Sequence, residues 1–438
     1  MELSGLGQGT LTITIILVLM GLGVPVAVSM IVVAGAAMWY FVDINFMLTN
    51  FRTLPYTLTS NYTYVVVPMF VLMGELASKS GIISDLYMAA HRFTSRIRGG
   101  LFMSTILASA GFGAASGSTV VSASVFTKIA LPEMKRFKYN LGVSAGCIAA
   151  SGTLAALIPP SIAMVILAVL TDQSIGALLM AGVVPGLLTA AFYMGGAYIF
   201  VRIRPDWAPL TGESYSWREK LQGLRGVWAI MLLATVVIGG LYFGVFAPSA
   251  AGAAGAAGAA LIAFLSRRLT LREFWGATLE AARITTVLFL IFIGGMLLSR
   301  ALLVMGFIDD LNDMIAGYGI SAGMFIALVI IIYFILGMFV DSISIMVITL
   351  PFMFPISQVL GINAIWFSVL LIKLVEIAAI TPPVGLNLYA VQTAAAGEIN
   401  SRQIFLGVLP FVATEIVLLA VLIMVPEFAT WLPDQMRR

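Results

Sequence analysis

The chain has 438 residues, of which 61% are hydrophobic and 10% are charged, and its formal net charge is +3. Soluble domains carry about 25% charged residues, so this composition predicts a multi-pass protein of the lipid bilayer with no nucleic-acid partner. The single cysteine, Cys147, excludes an internal disulfide, and the single histidine, His91, excludes a histidine-based metal site. The chain contains neither a Walker-type phosphate loop nor an HExxH motif, so neither ATP-driven pumping nor zinc-dependent hydrolysis is supported.

The first distinctive segment covers residues 99–134 and has clustered cations at both ends. Because positively charged residues mark the cytoplasmic side of a membrane protein, both ends of this segment are predicted to be cytoplasmic. Its polar middle, 113–119, separates two apolar arms of about 15 residues, which are shorter than the ~20 residues that a spanning helix requires. These features predict a re-entrant helical hairpin with its tip at 113–119.

The rest of the first half is predicted to cross the membrane twice. Segment 140–170 leads outward and is interrupted at Pro159-Pro160, because a proline pair removes two backbone donors from a helix. Segment 177–201 then returns. The loop 202–226 carries five Lys and Arg residues and is therefore predicted to be a cytoplasmic connector.

The second half is predicted to repeat this plan with the opposite orientation. Three apolar segments would cross out, back and out again: 227–245, 250–265 and 286–305. A second hairpin at about 321–358, with its tip at 337–344, has few flanking cations and is predicted to open to the outside. The remaining crossings are 364–396, which is broken at Pro382-Pro383, and 404–425.

Several landmarks recur in the two halves at a nearly constant separation. The two Pro-Pro pairs are 223 residues apart, Gly81 and Gly306 are 225 apart, and two Leu-Pro pairs are 219 apart. Helices broken at equivalent places in two halves are typical of inverted-repeat secondary transporters. The predicted fold class is therefore an all-α inverted-repeat transporter with two re-entrant hairpins and two broken helices. The first repeat would cover 1–201, the connector 202–226 and the second repeat 227–438.

The breaks and tips have the chemistry of an ion and substrate site. A Pro-Pro pair frees backbone carbonyl oxygens of the preceding turn, and a hard cation such as Na⁺ prefers oxygen ligands. The N-terminus of a half-helix, in turn, presents N–H groups and a positive dipole end to an anion. Two tips facing two breaks would form two Na⁺ sites with an anionic substrate between them.

Few ionisable residues lie at the predicted membrane depth. Asp341 stands at the second tip beside Ser342, and we predict a functional role because a charge inside the membrane costs at least ~2.5 kcal/mol. Lys373 and Glu376 are three residues apart on one helix and are predicted to neutralise each other, and Glu75 is also interpreted as structural. If protons rather than Na⁺ drive transport, Asp341 is the first carboxylate to consider, and the sequence leaves this choice open.

Five stretches together resemble a known family along essentially the whole chain. They are Pro68-Met69-Phe70 to Gly74 with Ser80-Gly81 after it, Phe112-Gly-Ala-Ala-Ser-Gly-Ser-Thr119, Gly152-Thr153 through Ile158-Pro-Pro-Ser161, Gly337-Met-Phe-Val-Asp-Ser342 and Thr381-Pro-Pro-Val-Gly-Leu-Asn387. This pattern resembles the large membrane subunit of tripartite ATP-independent periplasmic (TRAP) transporters, which belong to the ion-transporter superfamily.

The resemblance implies an elevator mechanism, in which a transport domain moves against a scaffold, and coupling to Na⁺. It also implies a bacterial cytoplasmic (inner) membrane location and two protein partners, a small four-helix membrane subunit and a periplasmic substrate-binding protein. The small subunit is expected to be a separate chain here. Substrates of the family are typically small organic acids, such as C4-dicarboxylates, sugar acids and sialic acids, and also ectoines.

The resemblance also implies the residues of two Na⁺ sites, most of them acting through backbone carbonyls. The first site would use Gly113, Ser116, Ala155, Ile158 and Pro160. The second would use Gly337, Ala378, Thr381 and Val384. The family commonly has glycine where this chain has Ala155 and Ala378.

Our interpretation is a Na⁺-coupled importer subunit, not an enzyme, that binds its substrate between the two tips. The predicted substrate-binding residues are Ser116, Ser118, Thr119, Asp341, Ser342 and Asn387. The main alternative is a standalone Na⁺- or H⁺-coupled organic-anion symporter or exchanger that needs no binding protein. A passive channel is disfavoured by two closed hairpin tips, and a membrane enzyme is the least supported class.

Overall fold

A computed structural model describes residues 4–338 and 340–436, and within these ranges the chain is 82% helical and has no strand. Phe339, in the predicted second tip, and residues 1–3 and 437–438, at the ends of the predicted repeats, lie outside the described residues. Five described helices are long and apolar enough to cross a membrane. The number rises to eight if each sharply bent helix pair is one span, so the all-helical, multi-pass class is confirmed.

The described part of the first half, from residue 4 onward, forms eleven α-helices. Their bounds are Gly5–Gly21, Val26–Ala37, Ile44–Ser60, Val66–Lys79, Ile82–Thr94, Gly100–Ser116, Thr119–Arg136, Leu141–Leu157, Ile162–Leu170, Ile175–Ala181 and Val183–Ile203. The second of these continues as a π-helical turn, Met38–Val42, and a 3₁₀ turn, Tyr62–Val65, precedes the fourth.

The connector and the second half are also helical in the described ranges. The connector contains the 3₁₀ turn Pro205–Trp207 and the helix Trp217–Leu224. The helices that follow are Trp228–Ala234, which continues through a π-helical turn to Gly240–Tyr242, then Pro248–Leu265, Leu271–Val304, Phe307–Gly317, Ala322–Gly337, Ser342–Val359, Ala364–Ile380, Leu386–Ala394, Ser401–Met424 and Glu427–Met436.

One element differs from its predicted bounds. The segment predicted at 286–305 is only the second part of Leu271–Val304, a continuous helix of 34 residues. Thr270 and Glu273 form a capping box at its start, and each side chain accepts a hydrogen bond from the other's backbone N–H. These caps satisfy the first free N–H groups and allow the helix to begin early. At 1.5 Å per residue its length is about 51 Å, well beyond the ~30 Å hydrocarbon core.

The ends of the helices near the predicted tips and breaks are fixed by polar caps. Ser118, Asn140, Ser161, Asp341 and Asn363 each accept a hydrogen bond from a backbone N–H two or three residues into the helix that they precede. Such caps replace the intrahelical partners that the first turn lacks. The first hairpin therefore turns between Ser116 and Thr119, and the second lies between helices that end at Gly337 and begin at Ser342; the two broken helices are interrupted at 158–161 and 381–385.

Glycines bring the core helices of the two halves into close contact. Gly142 and Gly146 on Leu141–Leu157 lie against Gly407 on Ser401–Met424. A Cβ built at Gly407 would stand 1.9 Å from the Gly142 carbonyl oxygen, so no larger residue fits without moving a backbone. Small residues at helix contacts of this kind let backbones pack closely in membrane proteins. The inverted repeat and its exact bounds stay predictions.

Candidate substrate and cation site

The first hairpin tip packs directly on the first helix break. A Cβ built at Gly113 would lie 3.1 Å from Ala155 Cα, and one built at Gly117 would lie 2.3 Å from the Pro160 carbonyl oxygen. The Gly117 carbonyl also accepts a hydrogen bond from the Ile162 N–H, at 3.4 Å. Glycine is needed here because the two backbones touch, and Gly117 also has a positive φ of 64°.

The second tip makes the equivalent contact with the second break. A Cβ built at Gly337 would lie 2.0 Å from Ala378 Cβ and 3.2 Å from Ala378 Cα. Ala155 and Ala378 are the residues four before Pro159 and Pro382. A helical carbonyl normally accepts a hydrogen bond from the N–H four residues later, and proline has no N–H. Each tip glycine therefore packs on a residue, Ala155 or Ala378, whose carbonyl lacks this helical partner.

The proline pairs free four helix carbonyls, and the chain satisfies some of them locally. Ser161 Oγ donates to the Ala156 carbonyl, and the Thr381 N–H donates to the Ala378 carbonyl at 3.2 Å. Ala155 and Ala379 each precede a proline by four residues, so their carbonyls lack the N–H donor that a continuous helix would supply. Oxygen atoms with free lone pairs are thus present at both breaks, as a hard cation requires.

A cavity of about 200 Å³ lies between the tips and the breaks. Its lining contains the starts of the two returning hairpin helices, Thr119–Arg136 and Ser342–Val359, together with parts of both broken helices. The full set is Gly117, Ser118, Thr119, Val120, Ala156, Ile162, Ala163, Ile284, Leu288, Asp341, Ser342, Ile343, Val375, Glu376, Ala379 and Leu386. Two helix N-termini at one cavity favour the binding of an anionic group.

Four of the six predicted substrate residues line this cavity: Ser118, Thr119, Asp341 and Ser342. Asp341 also caps the helix that it precedes, because its Oδ1 accepts from the Ser344 N–H at 3.1 Å and its Oδ2 accepts from the Ser344 hydroxyl. Both carboxylate oxygens of Asp341 therefore already accept a hydrogen bond from the first turn of its own helix. The residue itself is half-buried at the cavity wall.

The other two predicted substrate residues lie elsewhere. Asn387 is fully buried; its Nδ2 donates to the Ala149 carbonyl at 3.1 Å, and its Oδ1 has no hydrogen-bond partner among the described residues. The amide therefore joins the two broken helices in the structure. Ser116 lines a smaller space of about 40 Å³ with Gly74 and Glu75, and its buried Oγ has no hydrogen-bond partner among the described residues.

The predicted cation residues fall into two groups, one at each break. Gly113, Ser116, Ala155, Ile158 and Pro160 are all buried where the first tip meets the first break. Gly337, Ala378 and Thr381 are buried at the second, and Val384 is half-buried beside them. Thr381 Oγ1 donates to the Ile377 carbonyl at 2.6 Å. Within the described ranges, no group of three His, Cys, Asp or Glu side chains is close enough together to bind a metal ion.

Sequence analysis missed part of a buried ionic cluster beside the cavity. The predicted contact between Lys373 and Glu376 is present, with Nζ 3.0 Å from Oε2. Glu415, on a helix distant in sequence, adds a second carboxylate at 2.6 Å from the same Nζ. Glu376 also lines the cavity. The i, i+3 spacing revealed the first pair, but no local spacing could connect Glu415 to it.

Residues 142–146 read Gly-Val-Ser-Ala-Gly, a GxSxG pattern of the kind found in hydrolases, so the interpretation of the sequence as lacking this motif was wrong. A hydrolase serine stands on a sharp strand-to-helix turn. Here Ser144 is fully buried in a helix and donates to the Asn140 carbonyl at 2.8 Å, while the flanking glycines contact Gly407. The pattern serves helix packing.

Solved structures with a similar fold are transporters. A structure of the Alcanivorax borkumensis YdaH transporter matches with a TM-score of 0.62 and 12% identity, covering 89% of this chain and 90% of that one. The Neisseria gonorrhoeae MtrF structure, described as one of a class of antimetabolite efflux pumps, matches with a TM-score of 0.56 and 16% identity over 97% and 95% of the two chains. At these identities the likeness concerns the fold alone.

Sequence comparison identifies the family. The model of the DctM component of tripartite ATP-independent periplasmic transporters matches residues 13–428, and the chain belongs to this family. It is thus a TRAP transporter large permease subunit, as the resemblance implied.

The relatives of this chain carry different substrate names. It is 32% identical to a C4-dicarboxylate TRAP transporter large permease protein of Pseudomonas aeruginosa, over 86% of this chain and 87% of that protein. It is 30% identical to a sialic acid large permease protein of Vibrio cholerae, over 85% and 87%. It is 28% identical to an ectoine large permease protein of Halomonas elongata, over 84% and 86%. These relatives are transporter permease subunits and not enzymes.

Proposed function

We propose that this chain imports a small organic acid across the bacterial inner membrane, and that Na⁺ binding at the two helix breaks drives the import. The observation that carries this proposal is the convergence of two tips and two breaks on one cavity, with oxygen-rich backbone on both sides of it. The cavity offers donors to an anion, and the breaks offer acceptors to a cation. Both halves of a cation–anion symport are thus supported by the local chemistry.

In this proposal the substrate carboxylate binds to the starts of the two hairpin helices. Ser118 and Thr119 would donate through their hydroxyls and through the first backbone N–H groups of Thr119–Arg136. Ser342 would do the same on the opposite wall, and Asp341 would accept from a substrate hydroxyl or ammonium group. Asn387 would act indirectly, by holding the second broken helix against the first.

The Na⁺ ions would bind on either side of this cavity. The first ion would take oxygens from Gly113, Ser116, Ala155, Ile158 and Pro160, and Ser116 Oγ is a buried oxygen without another described partner. The second ion would take oxygens from Gly337, Ala378, Thr381 and Val384. The positive charge of the bound cations offsets the cost of bringing an organic anion into the protein.

We further propose that the hairpins and broken helices move together as the transport domain of an elevator, against a scaffold formed by the remaining helices. The close contacts at Gly113 and Gly337 support this proposal, because each joins a hairpin tip to a broken helix. A periplasmic binding protein would deliver the substrate, and a small four-helix membrane subunit would complete the scaffold. The family description as tripartite supports both partners. The rival reading, a standalone symporter, has no specific observation in its favour.

The cation sites are tested on the purified protein, without its partners. A ligand that binds only the folded state stabilises it by about 2.7 kcal/mol at a concentration of 100 times its Kd. We expect Na⁺ to raise the unfolding temperature in a saturable way. In K⁺ or choline at equal ionic strength, the unfolding temperature should be lower than in Na⁺. Equal stabilisation by K⁺ and Na⁺ would contradict selective Na⁺ sites.

A further inference from the structure

Three arginines on the side predicted to be cytoplasmic line a second cavity, with a volume of about 540 Å³. Arg96 and Arg98 lie in the loop that leads into the first hairpin, and Arg202 lies near the end of the helix Val183–Ile203. All three side chains are exposed, and none has an acidic partner among the described residues. The rest of the described lining is uncharged and consists of Ile97, Tyr198 and Leu210.

The loop that carries two of the arginines is fixed against the helix that carries the third. Gly99 has a positive φ of 77°, and a Cβ built there would lie 3.2 Å from Val201 Cγ2 on that helix. One helical turn before Arg202, Tyr198 holds its guanidinium, because Nη2 donates to the Tyr198 hydroxyl at 2.6 Å. The connector adds Leu210 to the lining. The pocket is therefore assembled from three separate parts of the chain.

Three guanidinium groups without acidic partners favour the binding of an anion with several oxygens. A guanidinium is planar and always charged, and it can donate two parallel hydrogen bonds to a phosphate. It is also more weakly hydrated than an ammonium group, so it suits a site at the membrane surface. The phosphate could belong to a soluble ion or to a phospholipid, and the surroundings of the pocket distinguish these two sources.

An apolar groove of about 450 Å³ lies along the same helix, next to the arginine pocket. Its walls are the helix of Arg202 and the helix Ser401–Met424, which are both long and apolar enough to span a membrane. Gly195 and Gly196 line the groove and have no side chains to fill it. Ile199 also lines the groove and precedes Arg202 by three residues, about 4.5 Å along the helix axis. The groove therefore leads to the arginines.

We propose that this pocket and groove together bind an anionic phospholipid, with its phosphate at Arg96, Arg98 and Arg202 and an acyl chain in the groove. Basic pockets between membrane helices on the cytoplasmic side are suited to acidic lipid head groups. A soluble phosphate would use the arginines but would leave the adjoining apolar groove without a ligand. The site shares no lining residue with the substrate cavity, so it does not depend on the importer function.

Native mass spectrometry of the purified protein in detergent measures this binding lipid by lipid. We expect the first phosphatidylglycerol molecule to bind at least about tenfold more tightly than phosphatidylcholine with the same acyl chains. The preference should disappear in the pocket variant, which combines Arg96→Gln, Arg98→Gln and Arg202→Gln. A wild type without the preference, or a pocket variant that keeps it, overturns the proposal.

A matched control removes the same charge elsewhere. It combines Arg218→Gln, Arg225→Gln and Arg272→Gln, which are exposed positions outside the pocket, and it should keep the preference for phosphatidylglycerol. Loss of the preference in this control as well would show that only the net charge matters, and it would contradict a defined site.

A variant of the groove separates a lipid from a soluble anion. A Cβ at Gly195 meets no atom within 4 Å, so a leucine fits there and occupies the groove without disturbing the fold. Gly195→Leu should weaken phosphatidylglycerol binding at least about threefold. Gly21→Leu, at another exposed glycine with open space around it, should not. Unchanged binding to Gly195→Leu, or competition by inorganic phosphate at the lipid concentration, would assign the pocket to a soluble anion and overturn the proposal.

The same titration with the small membrane subunit bound tests the other possible occupant of the groove. We expect the lipid to stay bound in that complex. Displacement of the lipid by the subunit would assign the groove to a protein contact and would also overturn the proposal.

Discussion

Gly337 lies directly against Ala378, so that a Cβ added to the glycine would stand 2.0 Å from the Cβ of the alanine. The first half has the same pairing between Gly113 and Ala155, which lie 224 and 223 residues earlier. Each pair joins a hairpin tip to the helical turn just before a Pro-Pro break. A methyl group is present on only one side of each contact, so the tip must be glycine.

The contact between Gly337 and Ala378 predicts that Gly337→Ala destabilises the protein by about 1–3 kcal/mol, the usual cost of overpacking. The double variant Gly337→Ala with Ala378→Gly moves the methyl group to the other side and should recover most of the loss. Gly317→Ala is the matched control, because a Cβ at Gly317 meets no atom within 4 Å. Thermal unfolding measures all three, and a Gly337→Ala variant as stable as Gly317→Ala would refute the tight contact.

Thr381→Ala tests the second cation site. Thr381 Oγ1 donates to the Ile377 carbonyl and keeps lone pairs that can contact a cation at the break. Loss of one oxygen ligand should cost about 1.4 kcal/mol or more, so the Na⁺ concentration for half-maximal stabilisation should rise at least about tenfold. Thr235→Ala removes a similar hydroxyl-to-backbone bond at an exposed residue outside the cavity lining and should leave the Na⁺ titration unchanged. An unaltered Na⁺ titration in Thr381→Ala would eliminate this residue from the site.

Asp341→Asn separates capping from transport. Asparagine caps helices about as well as aspartate, so the free energy of unfolding should change by less than about 1 kcal/mol. The negative charge at the cavity wall is lost, and we expect substrate uptake in proteoliposomes to fall at least about tenfold, because the acceptor for the substrate is weaker. Asp309→Asn, at an exposed helix start outside the cavity, is the control. Normal uptake by Asp341→Asn would assign the residue to capping alone.

The connector should loosen at low pH. His91 Nε2 lies 2.9 Å from Glu213 Oε2, and the Tyr215 hydroxyl donates to the same oxygen at 2.9 Å. Partial burial raises the pKa of the Glu213 carboxyl, but the hydrogen bonds from His91 and Tyr215 outweigh it and hold the pKa below its usual value. The stabilisation is complete above the pKa of an unfolded glutamate and is lost as the pH falls through the lower, folded value.

A spin label at Leu210→Cys reports this loosening. Its mobility should increase on acidification below about pH 4 in the wild-type background. In Glu213→Gln the label should be mobile at neutral pH as well and should lose most of the transition. Glu280→Gln, which breaks an exposed pair with Arg283, should behave as the wild type. A transition that persists in Glu213→Gln would rule out this carboxylate as its origin.

The helix breaks and helix starts of the site could be predicted from the sequence, because each is determined by residues that are neighbours along the chain. A Pro-Pro pair in the interior of a helix removes two backbone donors and interrupts it, and Ser118 and Asp341 are residue types that start helices. The breaks at 158–161 and 381–385 therefore lie where the sequence indicates. The cavity lining includes Ser118, Thr119, Asp341 and Ser342 because they occupy these same starts.

Contacts between helices that are far apart in the sequence could not be predicted in this way. Glu415 meets Lys373 across two helices, and no periodicity along either helix encodes that contact. Asn387 was predicted to bind substrate because it follows the second break, but it does not line the cavity, and its Nδ2 donates to the Ala149 carbonyl of the other broken helix. The long helix Leu271–Val304 was shortened in the prediction because its first turns are polar, although a capping box stabilises them.

The central claim is that this subunit couples Na⁺ entry to the import of an organic acid presented by a binding protein. The most direct test is uptake of labelled C4-dicarboxylates, sialic acid and ectoine into proteoliposomes that contain this chain and its small membrane subunit. The inward Na⁺ gradient and the periplasmic binding protein are each added or omitted. We predict uptake of one substrate class only when both are present. Uptake without the binding protein, or driven equally by an inward K⁺ gradient, would contradict the account.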